Sequence, residues 1–206
     1  MQHRLKTSLN YATGLSCRYL EQMHESLSLT DMEIQVENEK FPVHRVILAQ
    51  APFFRTMLCS VVGEGTQRSN IILPPENGVT AAAFRTVLVF MYNVRPDALV
   101  LPEGDELLDV HTAARFFMLE LLESMCNHKF EKSLRVEVLV QYLRYAHLHD
   151  LEDLKAMCLE YASESRSRLG YIMATSDFVA LAVDDNALYM ELVQCVQSNK
   201  RSRPDE

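Results

Sequence analysis

His44 stands next to Arg45 in FPVHRVILAQAPFFRTML (residues 41–58), at the seam between an alternating apolar stretch and a dense apolar run. A histidine there could act as a general base or a metal ligand, and either role needs a partner group. The other candidates are His147 and His149 in AHLHD, Cys126 with His128, and the carboxylate pairs Glu103 with Asp105 and Asp184 with Asp185. His147 and His149 lie two residues apart on a helical pattern, so they point to different faces and cannot share one metal ion. Cys126 and His128 fail for the same reason. The carboxylate pairs sit on polar stretches as turn or cap residues. GEG at 63–65 has the wrong spacing and flanks for a phosphate-binding loop or a dinucleotide fingerprint. Neither a GxSxG elbow nor an HExxH pair occurs. The five cysteines (Cys17, Cys59, Cys126, Cys158, Cys195) are widely spaced, mostly in apolar windows, and form no CxxC pair. They read as small buried hydrophobes carrying reduced thiols. No catalytic residue, metal site or cofactor emerges, and the chain reads as a non-enzyme.

Composition narrows the classes further. At 206 residues with 48% hydrophobic and 23% charged residues, the chain can bury a real core in one large or two small domains. A formal net charge of −8 repels a polyanion on average, which argues against nucleic acid as a partner. No apolar run approaches the roughly 18 residues of a membrane span. The amino terminus, MQHRLKTSLNYATG, has no continuous apolar core of a secretory signal. The expected location is intracellular, in the cytoplasm, the nucleus or both. Only the tail NKRSRPDE is basic over a short window, and residues 198–206 read as a solvated, disordered tail.

The elements that would position any site follow from periodicity. Leu15, Tyr19, Leu20 and Met23 form one stripe at helical spacing within residues 14–25. Met32, Ile34 and Val36 then alternate with Glu33, Gln35 and Glu37, the period of a half-buried strand. ENEK supplies a polar turn, and Phe41 and Val43 resume the alternation, which predicts a hairpin. RVILAQA and APFFRTMLCS read as short helices, the second with Pro52 in its first turn. NIIL (70–73) predicts a third strand, and Phe84, Val87, Leu88 and Met91 an amphipathic helix. A connector with a short edge strand at Ala98 to Leu101 leads to two further helices. The last third is helical throughout. Leu139, Val140, Leu143 and Ala146 face inward in one helix, and Leu151, Leu154, Met157, Cys158 and Tyr161 in the next. SESRSR forms a polar break, and one or two more helices follow, with Asp184 as an N-cap. There is no internal repeat. Segregated strands and helices imply an α+β fold, a small three-stranded sheet covered by helices with an all-helical extension.

DMEIQV, KFPVHRVILA, PFFRTML, IILP, AFRTVLVFMYN and LLDVHTAARFFM, in that order from Asp31 to about Lys129, resemble a BTB/POZ domain. LRVEVLVQYLRYAHLHDLEDLKAMCLEYA is similar to the 3-box that follows BTB domains in cullin-3 adaptors, closest to the speckle-type POZ protein group. Residues 169–197 look like a shortened BACK domain. The resemblance divides the chain into an N-terminal segment with a dimerisation helix (1–30), a BTB/POZ domain (31–130), 3-box and partial BACK-like helices (131–197) and the tail.

The resemblance also implies a site and partners. In similar proteins Asp31 and Arg45 would meet at a dimer groove, and the stripe Leu15, Tyr19, Leu20 and Met23 would pack against a second copy of the chain. Cullin-binding adaptors carry an apolar-x-Glu motif after the FFRTML helix, and Val62, Gly63 and Glu64 occupy those positions. Val62 is smaller than the usual Met or Leu. The expected function is a homodimeric protein–protein interaction module that links unidentified substrate proteins to a cullin-3 RING ubiquitin ligase. Neither MATH domain nor Kelch repeats flank it in this sequence. That leaves two alternatives, a scaffold recruiting a transcriptional corepressor or a competitor of full-length adaptors.

Overall fold

The computed structural model describes residues 30–59, 70–93 and 99–202. Strand β1 (Met32–Val36) pairs antiparallel with β2 (Glu39–Val43), Met32 opposite Val43 and Ile34 opposite Phe41. Met32, Ile34, Val36, Phe41 and Val43 are all buried, so the alternation read from the sequence is the inward face of the hairpin. The turn is tighter than ENEK implied. Only Glu37 and Asn38 connect the strands, while Lys40 already reaches across to Glu33 at 3.0 Å. Glu37 adopts a left-handed φ of 55°, an uncommon conformation for a residue with a Cβ. Its carboxylate accepts the Ala81 amide at 3.2 Å, which ties the turn to a helix start.

Strand β3 (Asn70–Leu73) runs parallel to β1 and completes the order β2-β1-β3. Residues 99–101 form no strand, and Ala98 lies outside the described residues, so the edge strand expected there is not seen. Helices α1 (Arg45–Leu48) and α2 (Pro52–Cys59) follow the hairpin, with Pro52 opening α2, where its missing N–H costs nothing. Helices α3 (Ala81–Tyr92) and α4 (Asp105–Phe116) pack on one another. Thr80 caps α3 through the Ala83 amide at 3.2 Å. The core is aromatic: Phe54 stacks on Phe117 at 4.9 Å, Phe84 meets Phe117 at 5.6 Å, and Phe41 meets Phe84 edge-on at 5.1 Å.

The chain divides into two compact units at Cys126/Asn127, inside helix α5 (Glu120–Ser133). The second unit is helical: α6 (Val136–Leu148), α7 (Glu152–Ser163), α8 (Arg166–Met173), α9 (Ser176–Asp184) and α10 (Asn186–Ser202). Leu139, Val140, Leu143, Ala146, Leu154 and Cys158 are buried as the spacing predicted, whereas Leu151, Met157 and Tyr161 are only half-buried. Three boundaries move. Helix α10 runs on to Ser202, so residues 198–202 of the expected disordered tail are helical, because the helical pattern continues through them. The break after α7 narrows to Glu164 and Ser165, since Arg166 already belongs to α8. The cap of α10 is Asp185, whose carboxylate accepts the Leu188 amide at 3.0 Å, while Asp184 ends α9 and pairs with Arg144 at 2.9 Å.

Candidate protein-interaction site

The seam at His44 is built by long-range contacts. Tyr92, at the end of α3, accepts the His44 main-chain N–H at 3.0 Å, and its hydroxyl lies 2.7 Å from His44 Nδ1. His44 is 4% exposed, so these bonds satisfy groups that water cannot reach. Burial pushes the Tyr92 hydroxyl above its ordinary pKa. The His44 amide partly offsets this, and the negative charge of Asp31 adds to it. His44 is therefore a buried, bonded hinge between hairpin and helix. Sequence reasoning did not find Tyr92, which is 48 residues away and carries no local signal.

Asp31 and Arg45 do come together. The Asp31 carboxylate accepts the Arg45 main-chain N–H at 2.8 Å, and the Asp31 N–H donates to the Val43 carbonyl at 3.2 Å. Asp31 thus anchors the first residue of α1 and closes the hairpin from its open end. Because the contact runs through an amide, it depends on the Asp31 carboxylate and not on which side chain stands at position 45. Beside it, Val46 is 69% exposed. The other expected site residues, Val62, Gly63 and Glu64 and the stripe Leu15, Tyr19, Leu20 and Met23, lie outside the described residues.

The remaining chemical candidates separate. His147 Nε2 lies 3.6 Å from an Asp185 oxygen, and the His149 ring packs on Tyr145 at 4.3 Å, so the two histidines serve different neighbours. His128 pairs with Glu131 at 3.3 Å on an exposed surface, while Cys126 is buried. Burial raises the Cys126 and Cys158 thiols to about 12 and pushes Cys195 upward as well, the reverse of what a nucleophilic thiolate needs. Among the described residues no group of three or more metal-ligating side chains converges, and no helix is long and apolar enough to cross a membrane.

Compared with known protein families, residues 20–134 match the BTB/POZ domain, more than half of the chain. The chain belongs to the BTB/POZ family. This is a family of protein-interaction domains that typically dimerise, and the three-stranded sheet under helices is its α+β fold. This BTB/POZ chain is 28% identical to human Kelch-like protein 6 over 199 residues, 91% of the chain but 30% of that protein. It is 31% identical to BTB/POZ domain-containing protein 9 of Drosophila melanogaster over 140 residues, 68% of the chain and 19% of that protein. It therefore spans under a third of the length of these relatives. A solved structure of the BTB domain of zebrafish PATZ1 superposes with a TM-score of 0.48 at 18% identity, over 60% of this chain and 93% of that one.

Proposed function

We propose that this BTB/POZ chain is a homodimeric adaptor that brings substrate proteins to a cullin-3 ubiquitin ligase, acting by proximity. The observation that carries the reading is the reach of the similarity to Kelch-like protein 6. It extends over 91% of the chain, past the BTB domain and through most of the helical extension. A bare interaction domain would need no such extension, whereas a 3-box and shortened BACK domain over residues 131–197 give a cullin a second surface to grip.

Val62 fills an apolar pocket on the cullin helix, and Glu64, one residue beyond Gly63, pairs with or caps that helix. Asp31 and Arg45 lie at the dimer groove, and Leu15, Tyr19, Leu20 and Met23 pack against the second copy. Light scattering at micromolar concentration tests the dimer, the expected mass being twice the 23.6 kDa of one chain. Calorimetric titration with the cullin-3 amino-terminal domain tests the adaptor. Saturable heat lost on Val62→Ala with Glu64→Ala is the expected result. No heat from an intact dimer redirects the function to a scaffold that recruits a corepressor.

A further inference from the structure

The first compact unit contains a groove that none of the roles above uses. The first turns of α3, the segment Val100–Pro102 and the start of α4 enclose about 260 Å³. Its lining is mostly apolar (Ala82, Ala83, Leu101, Val110) and includes Glu106 and Asp109. These two acids stand three residues apart on α4 and so share one face.

Glu106 has a local reason to be acidic, because it lies in the first turn of α4, where the helix dipole favours a negative charge. Asp109 lies one turn further on and has no such reason. It is half-buried, and among the described residues its side chain accepts one hydrogen bond, from the Thr80 hydroxyl at 3.2 Å. No lysine or arginine among the described residues pairs with Asp109 or Glu106. Burial raises the Asp109 carboxyl, Thr80 partly offsets this, and the charges of Asp105, Glu37 and Glu106 add to it. Thr80 is itself fixed by capping α3, so Asp109 is held in place beside the first turn of that helix, with no lysine or arginine among the described residues paired to it.

Shape and charge together select an occupant. About 260 Å³ is below the roughly 300–1,000 Å³ of small-molecule sites and suits a single side chain. A mostly apolar lining that includes carboxylates matches a long cationic side chain, whose stem lies on apolar surface while its head meets the acids. Arginine fits better than lysine: its planar fork can engage two carboxylates at once, and it gives up its hydration more readily. The net charge of −8 attracts such a partner.

We propose that this groove receives an arginine side chain presented by a partner protein, its stem on Ala82, Ala83, Leu101 and Val110 and its guanidinium between Asp109 and Glu106. The proposal rests on the family's protein-interaction role and uses none of the residues of the cullin-3 reading, so the cullin titration can fail without touching it.

The test is nuclear magnetic resonance on the full ¹³C,¹⁵N-labelled chain. The probes are the methylamides of acetyl-arginine, acetyl-lysine and acetyl-citrulline, the last a neutral copy of arginine. Saturable shifts confined to the amides of residues 82–86 and 101–110 are expected with arginine. Citrulline should bind roughly tenfold more weakly, as loss of one charge-assisted contact implies. Asp109→Asn should weaken arginine by a similar factor, and bound arginine should lower the pH at which the Asp109 carboxyl carbon titrates. Glu106→Gln, at an exposed position, gives an independent reading if Asp109→Asn disturbs the fold. Equal binding of citrulline, tighter binding of lysine, shifts elsewhere, or arginine affinity unchanged in both variants would overturn the proposal.

Discussion

The two compact units solve the same packing problem with different materials. In the first, a hairpin and a parallel strand separated by long sequence intervals converge on phenylalanine rings, and Phe54, Phe84 and Phe117 are each 0% exposed. In the second, neighbouring helices pack aliphatic side chains, and the rings lie toward one end, Phe130 touching Tyr142 at 5.0 Å and Tyr145 at 6.5 Å. Both surfaces leave large apolar groups in water, Val46, Ile72 and Val100 in the first unit among them. Tyr171, Met173, Val179 and Val183 leave large apolar groups exposed along α8 and α9, so these helices bury one face each. The lesson is that a sheet-based unit draws its core from segments far apart in sequence, while a helical stack draws it from neighbours, and neither hides every apolar side chain. Yet both units end a long helix in the same way. Met118 after α4 (φ 58°) and Asp150 after α6 (φ 54°) adopt left-handed backbone. The next amide then returns to the helix, Leu119 to Ala114 at 2.8 Å and Leu151 to Ala146 at 2.9 Å.

Breaking the aromatic core tests the contrast most strongly. Phe54→Ala removes a ring at the centre of the first unit and should cost about 3–5 kcal/mol in denaturant unfolding. The buried tyrosines sharpen it. Tyr92 serves both the main chain and the ring of His44, so Tyr92→Phe should cost about 2 kcal/mol. Tyr142 serves one buried partner, the Ser133 hydroxyl at 3.0 Å, and Tyr142→Phe should cost about 1 kcal/mol. Adding Ser133→Ala should recover part of that loss, because the orphaned hydroxyl is then gone. Equal costs for the two tyrosines would refute the unequal roles assigned to them.

Two adjacent aspartates give a finer test within the second unit. Asp185→Ala removes the cap of α10 and should cost about 1 kcal/mol. Asp184→Ala breaks only a surface pair with Arg144 and should cost less than about 0.5 kcal/mol by the same assay. The smallest effect depends on pH. The folded state holds the Asp109 proton more tightly than the ordinary carboxyl value of 3.8 allows, so ionising Asp109 lowers stability as pH rises through that window. Asp109→Asn should therefore melt slightly higher than the parent at neutral pH, and the gain should fade as pH falls below the carboxylate range. A gain that persists in acid would assign it to another cause.

Much of this molecule was readable from residue order because its signals are local and periodic. The alternation from Met32 to Val43, the β-branched run at residues 70–73 and the spacing of Phe84, Val87, Leu88 and Met91 each mark an inward face wherever the chain folds. The capping error at Asp184 arose because two adjacent aspartates are equivalent in composition, and only the helix phase tells them apart. The edge strand expected at Ala98 to Leu101 is not seen at 99–101 because β-propensity needs a neighbouring edge to pair with, and among the described residues none pairs there. The stops at Met118 and Asp150 carried no glycine to announce them.

Residue order alone decided most element types, most inward faces and the family, since these are recorded in pattern and spacing. Tertiary structure decided which distant groups meet. Tyr92 reaches back to His44, Asp31 holds the Arg45 amide, and Glu37 ties the hairpin turn to α3, each across a gap that no periodicity spans. It also set Asp109 beside an apolar groove on the partner helix. A side chain's chemistry is fixed by its type, but its burial, its partners and the charges around it exist only once the chain has closed.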